Sequence, residues 1–157
     1  MPSMDQQRKS IELALARIEA LDDATGLSAM EENARRKGIK EVADAALRKR
    51  LRLAGRDISD PLERELEEAV AAREHLLFLK HGRAQRASYT RRMMAGSKSA
   101  REIITDWILD TKPTAGFRDF VEAGIAEFAA ENIALRHAAS FTPEVVEAAK
   151  RRLAEFG

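Results

Sequence analysis

The sequence predicts an all-α protein, a compact bundle of about eight or nine short-to-medium helices, and three observations carry that expectation. Apolar residues recur at the three- and four-residue spacing of a helix face in segment after segment. No stretch sustains the period-two alternation of a half-buried strand, and no Asn-Gly hairpin signal occurs. Short breaks rich in Gly, Pro, Asp and Ser punctuate the chain where one periodic segment gives way to the next. Irregular stacked helical hairpins are the alternative arrangement of the same helices.

The first helix is expected from Asp5 to Ala20, where Ile11, Leu15 and Ile18 share a face. Residues Leu21 to Gly26 break it, and Ser28 with Glu31 has the form of a capping box that opens a second, short helix closed by Lys37-Gly38. A third helix is expected from Ile39 to Ala54, with Ile39, Val42, Ala46 and Leu53 on one stripe and Gly55 at its end. Asp60-Pro61-Leu62-Glu63 is the clearest helix start in the chain: a capping acid, proline at the first helical position and glutamate at the third. That helix should reach Lys80, with Leu62, Leu66, Val70 and Leu77 inward and Gly82 beyond its end.

A basic helix is expected from Arg83 to Ala95, stopping at Gly96. Ser97 or Ser99 then caps a helix whose Ala100, Ile103, Ile104, Trp107 and Ile108 form the strongest apolar stripe, and Lys112-Pro113-Thr114 breaks it. Phe117, Phe120, Val121, Ile125 and Phe128 continue the core through a helix near 115–123 and a turn at Gly124. A short helix carries Ile133 and Leu135, and Thr142-Pro143 starts the last one, where Val146, Ala149, Leu153 and Phe156 align.

One internal echo sets Glu32-Asn33 and the helix Val42–Leu51 against Glu131-Asn132 and the helix Val145–Leu153. Each is a short helix, a break and a longer helix, in outline similar to the helical hairpins of HEAT and tetratricopeptide arrays. The spacing differs between the two copies and neither carries a repeat signature, so chance similarity of two Ala- and Arg-rich helices is the expectation.

At 157 residues the chain fits a single all-helical domain, residues 1–157, with the N-terminal helix of residues 1–22 at its periphery. A domain of this size buries roughly 68–70% of the surface its unfolded chain exposes, enough to fold without staples. There is no cysteine, which excludes disulfides, thiolate metal sites and a cysteine nucleophile. The start MPSMDQQRKS lacks the apolar run of a signal peptide, and no ~18-residue apolar span exists to cross a bilayer, so a cytoplasmic protein without membrane association is expected.

Catalytic and metal chemistry find little support. His75, His81 and His137 are scattered, and the latter two sit where a helix C-terminus stabilises a cation in any case. Asp106 and Asp110 are one turn apart, but only one such pair is evident, on the polar face opposite Trp107. Ala95-Gly96-Ser97-Lys98-Ser99 lacks the first glycine of a phosphate loop and reads as a helix cap, and no base can be paired with Ser88. No cofactor and no enzymatic activity are expected.

Charge is the distinguishing feature. Net charge is +1, yet residues 1–32 carry 3 basic and 7 acidic groups, residues 33–101 carry 18 and 9, and residues 102–157 carry 6 and 10. The 27 residues between Glu74 and Glu102 contain no acid at all. Arginine outnumbers lysine 19 to 8, which suits forked contacts to phosphate or carboxylate, although GC-rich coding also favours arginine. Concentrated positive charge favours a polyanion by releasing its counterions. The candidate nucleic-acid-binding residues are therefore Lys80, Arg83, Arg86, Tyr89, Arg91, Arg92, Lys98 and Arg101.

A helical wheel divides that set. Arg86 falls between Tyr89 and Met93 and is expected to be drawn partly inward, which leaves Arg91 and Arg92 as an exposed pair. Asp119 and Glu122 are expected as carboxylates that neutralise the basic middle from within. A second basic cluster, Arg35-Arg36-Lys37 with Lys40, lies at a helix end, where the dipole favours cations anyway. The leading expectation is a non-enzymatic module that binds nucleic acid, DNA in particular, through phosphates with little base specificity. The alternative is a scaffold that binds an acidic protein partner or a second copy of itself through apolar surface near Trp107 and Phe117 to Phe128.

Overall fold

The structure is a computed structural model that describes residues 2–110 and 115–156, without the side chains of Tyr89 and Ala115. It is all-helical, about 78% helix, and no strand occurs among the described residues. The break expected at Lys112-Pro113-Thr114 lies outside the described residues. The chain divides into two compact units, Met1–Leu53 and Ala54–Gly157.

In the first unit, helix α1 (Met4–Ala20) opens on a reciprocal cap: Ser3 Oγ accepts from the Gln6 amide at 3.2 Å and Gln6 Oε1 from the Ser3 amide at 2.9 Å. Helix α2 (Ala24–Arg36) starts earlier than the sequence suggests. Asp23 caps it, its carboxylate accepting from the amides of Thr25 and Gly26, and Ser28 is an exposed residue within the helix. Two caps compete here, and the acid four residues upstream of the helix's first buried leucine, Leu27, wins because it adds a turn of helix while satisfying two orphan amides. At its end the Ile39 amide returns to Ala34 O at 2.8 Å, closing the helix before α3 (Lys40–Leu53) begins.

The core of this unit joins Ile18, Leu27, Ala34, Val42, Ala43 and Ala46, with Ile11, Leu15, Met30 and Ile39 at its margin. The expected face of α1 is thus its packing face. Lys49 donates to Glu19 O at 2.7 Å and ties α3 to the end of α1.

Near the start of the second unit stands Gly55, where a side chain would meet the Arg64 carbonyl and Cγ at 2.7 Å, so only glycine lets the chain pass so close to the next helix. Helix α4 (Pro61–His81) is capped by Asp60, whose carboxylate accepts from the Glu63 amide at 2.9 Å, as its sequence dictates. Leu66 and Val70 are buried as expected, while Leu62 and Leu77 are half-buried and Ala69, Ala72, His75 and Leu76 complete the inward face. Gly82, at φ 71°, ends it in the left-handed conformation.

The basic helix is shorter than expected: α5 spans Ser88–Ala95, and residues 83–87 are not helical. Glu74 of α4 accepts the Ala87 amide at 3.0 Å, which holds the segment after Gly82 folded back along α4 and delays the next helix. Ser99 and Glu102 form a capping box at the start of α6 (Ala100–Leu109). Helix α7 (Ala115–Glu122), a 3-10 turn at Ala126–Phe128, α8 (Ala130–Arg136), a second 3-10 turn at Ala138–Ser140 and α9 (Pro143–Phe156) follow.

Leu66, Val70, Ile103, Ile104, Ile108, Ile133, Phe141, Val145 and Ala149 form one core. Phe117 meets Phe156 edge-to-face, with ring centroids 5.4 Å apart. A single arginine organises the end of α6. Arg152 of α9 donates to the carbonyls of Ile108 and Asp110 at 3.1 Å and of Trp107 at 3.4 Å, and to the buried carboxylate of Glu131 at 2.7 Å. The carbonyls of Trp107 and Ile108 lie in the last turn of α6, beyond reach of an amide of the same helix, and a cation at that end also complements its dipole.

Candidate functional site

The residues that the sequence marks as one basic segment have three different fates. Arg91, on α5, is only 28% exposed. Its Nε donates to Glu74 Oε2 at 3.0 Å, its second amino group lies against Glu74 Oε1, and its first lies 3.8 Å from Glu67. The Arg91 hydrogen bond, the Ala87 amide and the positive charges of Arg91 and Arg86 hold the Glu74 carboxyl below its ordinary value against the opposing effect of burial. The same bond to Glu74 raises Arg91, again against burial. The expectation of an exposed Arg91–Arg92 pair is corrected: Arg91 is an internal partner and Arg92 alone faces solvent.

The neutralising charge comes from two sources. Asp119 of the acidic C-terminal third pairs with a cation of the basic middle, Arg73 of α4, at 3.3 Å, as expected, whereas the carboxylates for Arg91 are supplied by α4, immediately before the acid-free stretch. Lys98 is the second case, exposed but bonded to Asp106 at 2.6 Å across the first turns of α6.

The third group is Lys80, Arg83, Arg86, Arg92 and Arg101, all exposed and without a hydrogen-bonded or ion-paired carboxylate among the described residues, although the charge of Arg86 also acts on Glu74. Arg86 is not drawn inward: with residues 83–87 outside any helix, the wheel that placed it between Tyr89 and Met93 does not apply. Thr90, Met93 and Met94 do turn toward the protein, the methionines packing on the core of this unit. The Tyr89 side chain lies outside the described residues.

Two recesses collect part of the set. Arg86, Arg91 and Lys98 line a groove of about 450 Å³ together with Glu63 and Glu67, so its charge is mixed. Arg101 lines a neighbouring one of about 480 Å³ with Asp60 and Ser140. Lys80 and Arg83 line neither of these.

The sequence also underplays an apolar cleft of about 350 Å³ walled by Val70, Trp107, Phe117, Phe120 and Phe128, with Arg73 and Thr90 at polar positions. Its aromatics are read from sequence as core, and Phe117, Phe120 and Phe128 are indeed buried. Their convergence on one opening is a tertiary fact.

Of the histidines, His75 is buried in α4, His81 is exposed at its end, and His137 lies against Glu65, which also takes Arg136 Nε at 2.9 Å. Among the described residues no group of three or more His, Asp or Glu side chains is placed to hold a metal ion. No helix among them is long and apolar enough to cross a membrane.

Comparison with known proteins finds no matching family model, no matching curated protein and no matching solved structure.

Proposed function

We propose that residues 54–157 form a non-enzymatic module that binds nucleic acid through phosphate contacts from Lys80, Arg83, Arg86, Arg92 and Arg101. One observation carries the reading: five cations lie exposed, without an ion-paired carboxylate among the described residues, around a stretch of chain that holds no acid. Exposed cations that no internal acid holds in an ion pair are free to displace the counterions of a polyanion. Arg91 and Lys98, spent on Glu74 and Asp106, stand outside this set.

A salt titration tests it. Binding of an oligonucleotide should weaken with a log–log slope of about −3.5 to −4.5 if all five cations neutralise phosphates. Arg83→Glu with Arg92→Glu should weaken binding at least tenfold and leave the melting temperature unchanged. Absence of binding at low salt, or binding indifferent to salt, overturns the reading.

The aromatic-walled cleft favours a second reading, a helical interaction module that accepts an apolar side chain of a second copy. Sedimentation that depends on protein concentration is what it requires. A chain that stays monomeric across the micromolar range removes it.

A further inference from the structure

Before its last two residues helix α4 carries four consecutive apolar residues, Leu76 to Leu79, more than one helix face can bury. Leu76 is buried and Leu77 half-buried, but Phe78 is 46% exposed and Leu79 55%. The position of Phe78 on the helix gives this exposure a context. Glu67, Glu74 and Phe78 follow one another at seven and four residues, so they share a stripe of α4.

Arg91 spans Glu67 and Glu74, and Glu74 also holds the Ala87 amide, so the chain after Gly82 returns along that stripe. Phe78 is the next position, about 6 Å further toward the helix end. Past Gly82 the chain carries exposed Arg83 and Arg86, and the charge of Arg86 reaches the Glu74 carboxylate one turn away, whereas Lys80, two residues after Phe78, leaves the helix on another side. An exposed aromatic ring therefore stands near the helix end after which two exposed arginines follow.

We infer that Phe78 is a stacking platform for an unpaired base, and that the ligand of this surface is single-stranded nucleic acid held at adjacent phosphates by Arg83 and Arg86. This rests on the phosphate-binding reading above and adds the class of nucleic acid. A base needs one exposed ring, and every base has a face to offer, whereas bases in a duplex are already stacked on one another. An amphipathic peptide helix would need anchors over two turns, and the apolar patch here is two adjacent side chains.

The test is fluorescence anisotropy at fixed salt with a labelled oligo(dT) strand and a DNA duplex of equal length, with thermal melts to verify each variant's fold. Phe78→Leu, which keeps apolar bulk but removes the ring, should weaken single-strand binding about 5- to 100-fold and leave duplex affinity unchanged. Phe78→Trp should retain single-strand binding, and its introduced indole should be quenched by the oligonucleotide. Wild-type affinity of Phe78→Leu for the single strand overturns the stacking role, and if Arg83→Glu with Arg86→Glu still weakens binding, phosphate contact survives alone. An equal loss on single strand and duplex overturns stacking as well. Binding of neither oligonucleotide overturns both readings, as does binding only to an acidic peptide or to phosphatidylserine vesicles.

Discussion

Residues 24–53 and 130–156 each form a helical hairpin with a buried glutamate on the first helix and an arginine from the end of the second helix holding it. In the first, Glu31 of α2 accepts from Arg50 of α3 at 3.0 Å and also from Arg35, one turn along its own helix, at 2.8 Å. In the second, Glu131 of α8 is held by Arg152 of α9, which is only 16% exposed and carries the three carbonyls at the end of α6 as well. Arg50 and Arg152 each precede a leucine, and each lies about twenty residues after its glutamate. The internal echo thus has a physical counterpart, although in the first hairpin the buried acid is Glu31, one residue before the Glu32 that the echo aligns. The difference teaches more than the likeness. Glu31 has two partners and can lose one, whereas among the described residues Glu131 has one, an arginine that serves three elements.

Arg152→Ala should break the comparison most sharply, costing about 3–5 kcal/mol in urea unfolding because it leaves a buried carboxylate and several helix-end carbonyls unpaired. Arg152→Lys, with its charge but no fork, should recover only part of the loss. If Arg152→Ala costs less than about 1 kcal/mol, the single-clamp interpretation fails. Arg50→Ala should cost less, about 1–3 kcal/mol, since Arg35 still faces Glu31.

Glu74→Gln carries the argument to a third carboxylate, the one that folds the basic segment back on α4. About 1.5 kcal/mol of local stability should go with it, which speeds hydrogen exchange at the Ala87 amide roughly tenfold. Unchanged exchange would mean that Glu74 does not hold the segment.

Acid sharpens the comparison further. Burial pushes the Glu31 carboxyl up, but the hydrogen bonds from Arg35 and Arg50 and their charges more than offset it, so it sits below its ordinary 4.5. With the folded value depressed, the unfolded chain binds more protons below about pH 4.5, and the stabilisation present above that pH is lost as pH falls through the folded value. Glu74 behaves in the same direction, its bond from Arg91 being the first cause. Glu31→Gln should therefore flatten the fall in stability between about pH 4.5 and pH 2, measured by thermal melts. Smallest of all is Arg35→Ala, at most about 0.5–1 kcal/mol, because Arg35 is half exposed and one turn from its partner.

Much of the architecture is legible along the chain because it depends on neighbours in sequence. Asp60-Pro61 and Ser99 with Glu102 start helices where their side chains reach amides three residues on, and Ile103, Ile104 and Ile108 are buried because their spacing leaves them one face. The candidate site is less legible. Arg91 and Arg92 are adjacent and chemically identical, yet one is bound by Glu74 and the other faces water. That choice turns on Gly82 and on the Ala87 amide meeting Glu74, a contact across thirteen residues that no helical wheel contains. Exposure of Phe78 and Leu79 was within reach, since four apolar residues in a row overfill one helix face.

The sequence by itself determined the all-helical class, most helix starts and the acid-free stretch from 75 to 101, because periodicity, capping and charge order are local properties of the chain. Only the tertiary structure decided which cations are spent and which are left at the surface, and which glutamates are buried with a partner. Those outcomes depend on carboxylates, carbonyls and guanidinium groups brought together from distant positions, and the strength of each such pair is set by a few ångströms and by how much water is excluded.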